Sequence, residues 1–170
     1  GLAVNPLPKN WKSTLGSLGF NLSCKSSDDS HVRGGTYPIT YDSKKNEWQK
    51  DASAWEKEAN GFADKFDRKA LLELIRVTNV NNVRAVNSQG WVMTQEDTIG
   101  DERWRKRTMS FCLLHPPKAI CGVGVVSMLS DGPKGDLTQH ALKILKSIEF
   151  LPDVSPDVVP ATTGNGELRQ

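Results

Sequence analysis

The strongest constraint in this sequence is a pair of cysteines placed symmetrically about a diproline. In "SFCLLHPPKAICGVGVV", residues 110–126, two apolar runs flank His115–Pro116–Pro117–Lys118. Runs of this kind on either side of a short proline-containing turn fold as a β-hairpin. With 115–118 as the connection, Leu114 faces Ala119, Leu113 faces Ile120, and Cys112 falls opposite Cys121. Directly opposed residues on antiparallel strands have Cα atoms about 4.5 or 5.5 Å apart. Both distances lie within the roughly 4.4–6.8 Å that a disulfide spans. The register therefore predicts a Cys112–Cys121 disulfide, with two thiols buried side by side as the alternative. Farther along the ladder Gly122 and Gly124 fall opposite Phe111 and Met109, which leaves room for the two large side chains. The remaining cysteine, Cys24, is expected to be buried in a strand of its own.

The alternation continues beyond the hairpin. Residues 83–129 read as an antiparallel meander, with "NSQG" and "TIGD" as turns before the "HPPK" connection. On the "TIGD" register Arg103 faces Glu96 and Arg105 faces Thr94. Upstream, Trp55, Ala59, Phe62 and Phe66 recur at spacings of four, three and four, the pattern of one helical face. Asp51 or Ser53 can cap that helix. "RKALLELIRV" prolongs it or forms a second helix after a break near Asp67, and "NVNN", 79–82, ends it. A last helix over 137–147 takes Asp136 as N-cap, with Gln139 placed for a near capping box. Its buried stripe is Leu137, Ala141, Ile144, Leu145 and Ile148. Short strands are expected near 19–24 and 36–41, and "IEFL" is a candidate short strand. Residues 1–10 read as an extended lead-in, 11–151 as a single domain, and 152–170 as a tail of disordered composition. The fold class expected is α+β, an antiparallel β-meander sheet covered by two amphipathic helices.

Charge narrows the function. Twenty-two basic and 20 acidic residues leave a net charge of +2, too even a balance to imply nucleic acid as a partner of the whole domain. No apolar run approaches the roughly 20 residues of a membrane span. The stretch "RWRKR" alternates between strand faces, and Asp97, Asp101 and Glu102 dilute its charge. It reads as a charged, solvated strand end, with a protein-binding patch as the alternative and nucleic acid as a third reading. His31, His115 and His140 have no metal-ligand spacing, and the cysteines form no paired zinc motif. "GVG" and "DGPKGD" lack the lysine and hydroxyl of a phosphate loop, and the Asp28–Asp29 pair lacks calcium-loop spacing. No catalytic, metal or cofactor residue is assigned. The contact candidates are Trp104, Arg103, Arg105, Asp101 and Glu102 at the meander end, with Trp91 behind them. Tryptophan and arginine are favoured anchors of protein interfaces.

The segments "RTMSFCLLHPPKAICGVGVVSML" and "DGPKGDLTQHALKILKSIEF" resemble small proteins encoded beside type VI secretion effectors in proteobacteria. The order of strands and helices is similar to the PsbP-like sandwich, over roughly residues 50–151. The resemblance implies export to the periplasm after removal of a targeting segment. It also implies an immunity role: binding a cognate toxin and occluding its active site. The alternative is a non-enzymatic accessory or adaptor protein of an envelope complex, and a third reading is an enzyme or small-ligand binder using the open face of the sheet.

Overall fold

The computed structural model describes the backbone of residues 2–4 and the whole of residues 11–35 and 37–152. Within them the meander is β5 (Asn79–Arg84), β6 (Gln89–Glu96), β7 (Lys106–His115) and β8 (Lys118–Met128). Two earlier strands, β1 (Leu2–Val4) and β2 (Leu18–Ser26), add to the β8 edge, giving the antiparallel order β1-β2-β8-β7-β6-β5. A separate hairpin is made by β3 (Ile39–Asp42) and β4 (Glu47–Lys50). Helices α1 (Ser53–Gly61) and α2 (Lys65–Val77) follow it, and α3 (Thr138–Lys146) comes last. The class is α+β, as the sequence implies. Of the expected tail, residues 153–170 lie outside the described residues, as do residues 5–10 of the lead-in.

Pairing in the central hairpin is the one the diproline dictates. Cys112 pairs with Cys121, Phe111 with Gly122 and Met109 with Gly124. The two cysteines are joined by a disulfide across a Cα–Cα distance of 4.1 Å. A Cβ on Gly122 would lie 2.6 Å from the Phe111 ring, so the glycine makes room for that ring.

Period-2 alternation divides the sheet into two faces with different covers. One face carries Leu18, Phe20, Val92, Met109, Phe111 and Leu113 beneath Leu137, Ala141 and Leu145 of the α3 segment. The rings of Phe20 and Phe111 meet edge to face at 5.5 Å, the geometry their quadrupoles favour. The other face presents Trp91, Met93, Cys112 and Ala119, capped by Val32, Ile39 and Trp48 from the 27–38 loop and the β3–β4 hairpin. Each fully buried side chain of this size contributes about 1.5–3 kcal/mol relative to exposure.

The start of α3 is fixed by a bulge and a charge relay. The ladder shifts between Arg107 and Thr108, and the Val126 carbonyl there accepts the Leu137 amide at 2.8 Å. Arg107 reaches both Glu96 on β6 and Asp136 ahead of α3, and Asp136 accepts the Thr138 amide at 2.9 Å. Burial opposes ionisation of Asp136. The hydrogen bonds from Thr138 and the Arg107 guanidinium outweigh it and hold the carboxyl below its ordinary value.

Several local expectations are corrected. "NVNN" does not end the helix region in a loop; it opens edge strand β5, where the Asn82 side chain accepts the Trp48 amide and donates to the Trp48 carbonyl. The helical break falls at 62–64, where Asp64 accepts the Phe66 amide at 2.6 Å, rather than near Asp67. The break rotates α2 relative to α1, so Phe62 and Phe66 are exposed and only Ala59 of the expected stripe is fully buried. Lys50 closes the far end of α2 by donating to the Ile75 and Thr78 carbonyls, where a cation suits the helix C-terminus. "IEFL" forms no strand. Instead Asn87 clasps Phe150, donating to its carbonyl and accepting its amide.

Candidate protein-binding site

Between β6 and β7 the chain makes a longer excursion than a four-residue turn, because aspartates offer the backbone local alternatives to the ladder. Asp97 closes its neck: the Asp97 amide donates to the Lys106 carbonyl at 2.9 Å, and its carboxylate accepts the Lys106 amide at 3.0 Å. Asp101 caps a 3₁₀ turn over Glu102–Trp104 by accepting the Arg103 amide at 3.0 Å. Gly100, at φ 86°, supplies the left-handed residue the bend needs.

The cations of the loop are turned inward on it. The Arg103 guanidinium folds back onto Asp101, with Nη2 at 2.7 Å from Oδ2. That pairing lowers the Asp101 pKa and raises that of Arg103. Arg105 donates twice to the Gly100 carbonyl and lies 3.8 Å from Glu102. The Leu129 amide donates to the Arg105 carbonyl at 2.8 Å, and the Ser130 hydroxyl to that of Arg103. The loop is thus tied at its neck, within itself, and to the 129–131 turn.

Among exposed charged side chains, Glu102 at 87% and Arg103 at 80%, this frame also presents two apolar ones. Trp104 is 69% exposed and Ile99, on the same loop, 63%. A tryptophan left this far in water forgoes most of its burial energy, while its backbone is already fixed. The first favours burying it in a pocket, and the second lowers the entropic penalty of doing so.

Five of the six contact candidates, Asp101, Glu102, Arg103, Trp104 and Arg105, are brought together here. Trp91 is not among them. It is 1% exposed, its indole Nε1 donates to the Val32 carbonyl at 2.8 Å, and it packs against Cys112 in the hairpin-covered core. The strand register of the stretch also changes: β7 begins at Lys106, so Glu96 pairs with Arg107 rather than Arg103, and Thr94 with Met109 rather than Arg105. Cys24, expected in the interior, is exposed on β2. His115 is held in its turn by stacking on Phe150 at 5.0 Å and by contact of Nδ1 with the Asn87 carbonyl at 2.7 Å.

A second surface feature had no counterpart in the sequence reading. At the other end of the sheet, recesses of about 480, 440 and 580 Å³ adjoin one another, and Gln89 lines all three. Their walls include Tyr41 and Trp48 of the β3–β4 hairpin, Arg84 of β5, and Leu114 and Pro116 of the diproline turn. Gln89 to Glu96 spans the length of β6, about 23 Å at the usual strand rise, so this concavity and the Trp104 loop occupy opposite ends. The signal that could have found the hairpin wall is Asn46 at φ 56° between two short alternating runs, since asparagine is the non-glycine residue most at home there.

Among the described residues no three His, Cys, Asp or Glu side chains are grouped to hold a metal ion, and no helix is long and apolar enough to cross a membrane. Comparison with protein-family models, curated proteins and solved structures gave no match to this chain.

Proposed function

We propose that the chain is a stoichiometric protein-binding inhibitor, an immunity-type protein that occludes a secreted antibacterial effector in the periplasm. The observation that supports this reading is the loop over 97–105: an exposed Trp104 and Ile99 on a backbone fixed by its own aspartates and arginines. The mechanism is steric. Trp104 enters a pocket of the effector, the surrounding ion pairs form a polar rim, and the sheet behind the loop holds its position. Interfaces of this kind bury on the order of 1,600 Å² in total, with one or two aromatic anchors carrying much of the energy. The Cys112–Cys121 disulfide fits an oxidising compartment such as the periplasm.

The test is affinity capture of the tagged chain from its own host, in wild-type and Trp104→Ala forms. A single stoichiometric partner encoded beside it, captured by the wild type and lost from the variant, is the expected result. Subunits of a standing envelope assembly would replace this reading with that of an adaptor.

A further inference from the structure

The concavity around Gln89 has a chemistry of its own. Arg84 and Lys146 line one recess and Arg33 the next, with Glu47 the one acidic side chain on these walls. Arg33 is paired with the exposed Asp28 at 2.6 Å. Arg84 and Lys146 make no ion pair among the described residues. Between these cations stand Tyr41, 42% exposed, and the apolar edges of Leu114 and Pro116. The walls are braced: Asn82 ties β4 to β5 through the Trp48 backbone, and Asn87 ties the β5–β6 turn to Phe150.

We propose that this concavity binds an extended acidic segment of a partner protein, at a surface separate from the Trp104 loop. Charge complementarity selects the acidic character, since two cations with no ion pair among the described residues share one recess with a single carboxylate. Continuity selects the extended form. A small anion could touch only one rim, and exposed ion pairs each contribute at most about a factor of five in affinity. A segment lying across the shared wall at Gln89 adds apolar contact with Tyr41, Leu114 and Pro116 to those pairs. Nucleic acid fits less well, because its binding rests on neutralising many phosphates, often about six or more. This site offers three cations, one of them already paired with Asp28, and one opposing carboxylate on its walls.

The experiment uses the full chain and a fluorescein-labelled peptide, Glu-Val-Pro-Glu-Val-Pro-Glu, followed by anisotropy and by amide chemical shifts. The proposal expects saturable binding with shifts concentrated at Tyr41, Arg84 and Gln89. Arg84→Glu with Lys146→Glu should weaken it at least about ten-fold, and the lysine-for-glutamate peptide should not bind. Both substituted residues are exposed, and an unchanged melting temperature confirms that the variant is folded. Tyr41→Ala should weaken binding several-fold with the charges intact. Four results would overturn the proposal: no binding at millimolar peptide, equal affinity for the charge-reversed protein, shifts confined to other surfaces, or full displacement by an equal concentration of inorganic phosphate or of single-stranded oligonucleotide.

Discussion

Reducing the Cys112–Cys121 disulfide should lower the melting temperature by an amount that the hairpin itself sets. The bond links residues nine apart in sequence. For a closed loop of roughly ten residues the chain-entropy relation gives about 2.7 kcal/mol at 25 °C. A chain of this size loses about 2–4 °C per kcal/mol, so the expected drop is about 5–11 °C. The native ladder should survive, because Cys112 and Cys121 are flanked by the paired residues Phe111–Gly122 and Leu113–Ile120. Calorimetry or circular dichroism with and without a dithiol reductant measures the shift, and the mass gain of two hydrogens verifies reduction. The Cys112→Ala/Cys121→Ala variant should show a drop at least as large, since Cys112 is buried and its truncation also removes packing. A fully reduced protein that melts within about 2 °C of the oxidised one would refute the reasoning. It would mean that the diproline turn already holds the two strands together in the unfolded chain, so that the cross-link constrains little.

Asp136→Asn keeps a capping side chain for Thr138 but removes the charge facing Arg107. Both partners are about three-quarters buried, so the loss at pH 7 should fall between exposed and buried pairs, about 1–2 kcal/mol. Because the folded carboxyl is lowered from its ordinary value, its contribution is present above the unfolded pKa of about 3.9 and lost as pH falls through the folded value. Denaturant titrations of both proteins should therefore converge below about pH 4, and a difference that grows with acid would contradict the assignment. Gly90→Ala would place a Cβ 1.8 Å from the Cys112 carbonyl oxygen, forcing β6 from β7, so a loss of about 2 kcal/mol or more in chemical denaturation is expected.

The sequence was legible where local pattern and long-range contact demand the same thing. The diproline fixes the 112–121 register, and alternating apolar residues on β6 to β8 carry it outward, so the glycine–aromatic pairs follow without further information. The β6–β7 connection was misread because Asp97 and Asp101 bind nearby amides, lengthening the loop and moving the ladder start to Lys106. Three asparagines read as breakers sit in β5, where the edge position leaves Asn82 free to bond across to Trp48. Trp91 could be placed outside only while its acceptor, the Val32 carbonyl 59 residues away, was unseen. Of the candidate site, the loop and its residue types were readable, whereas the Gln89 concavity depends on a hairpin wall whose second strand, Glu47–Lys50, is only four residues long, so that Asn46 is its main local signal.

The most direct test of the Trp104 loop as the docking element is the dissociation constant of the partner complex for wild type and Trp104→Ala, measured beside the melting temperature of each free protein. The account predicts at least about a 30-fold weaker complex, the 2 kcal/mol of an anchor residue. It also predicts melting temperatures within about 1 °C, since this side chain is 69% exposed and supports no core. Affinity unchanged within about three-fold would place the interface elsewhere and contradict the claim.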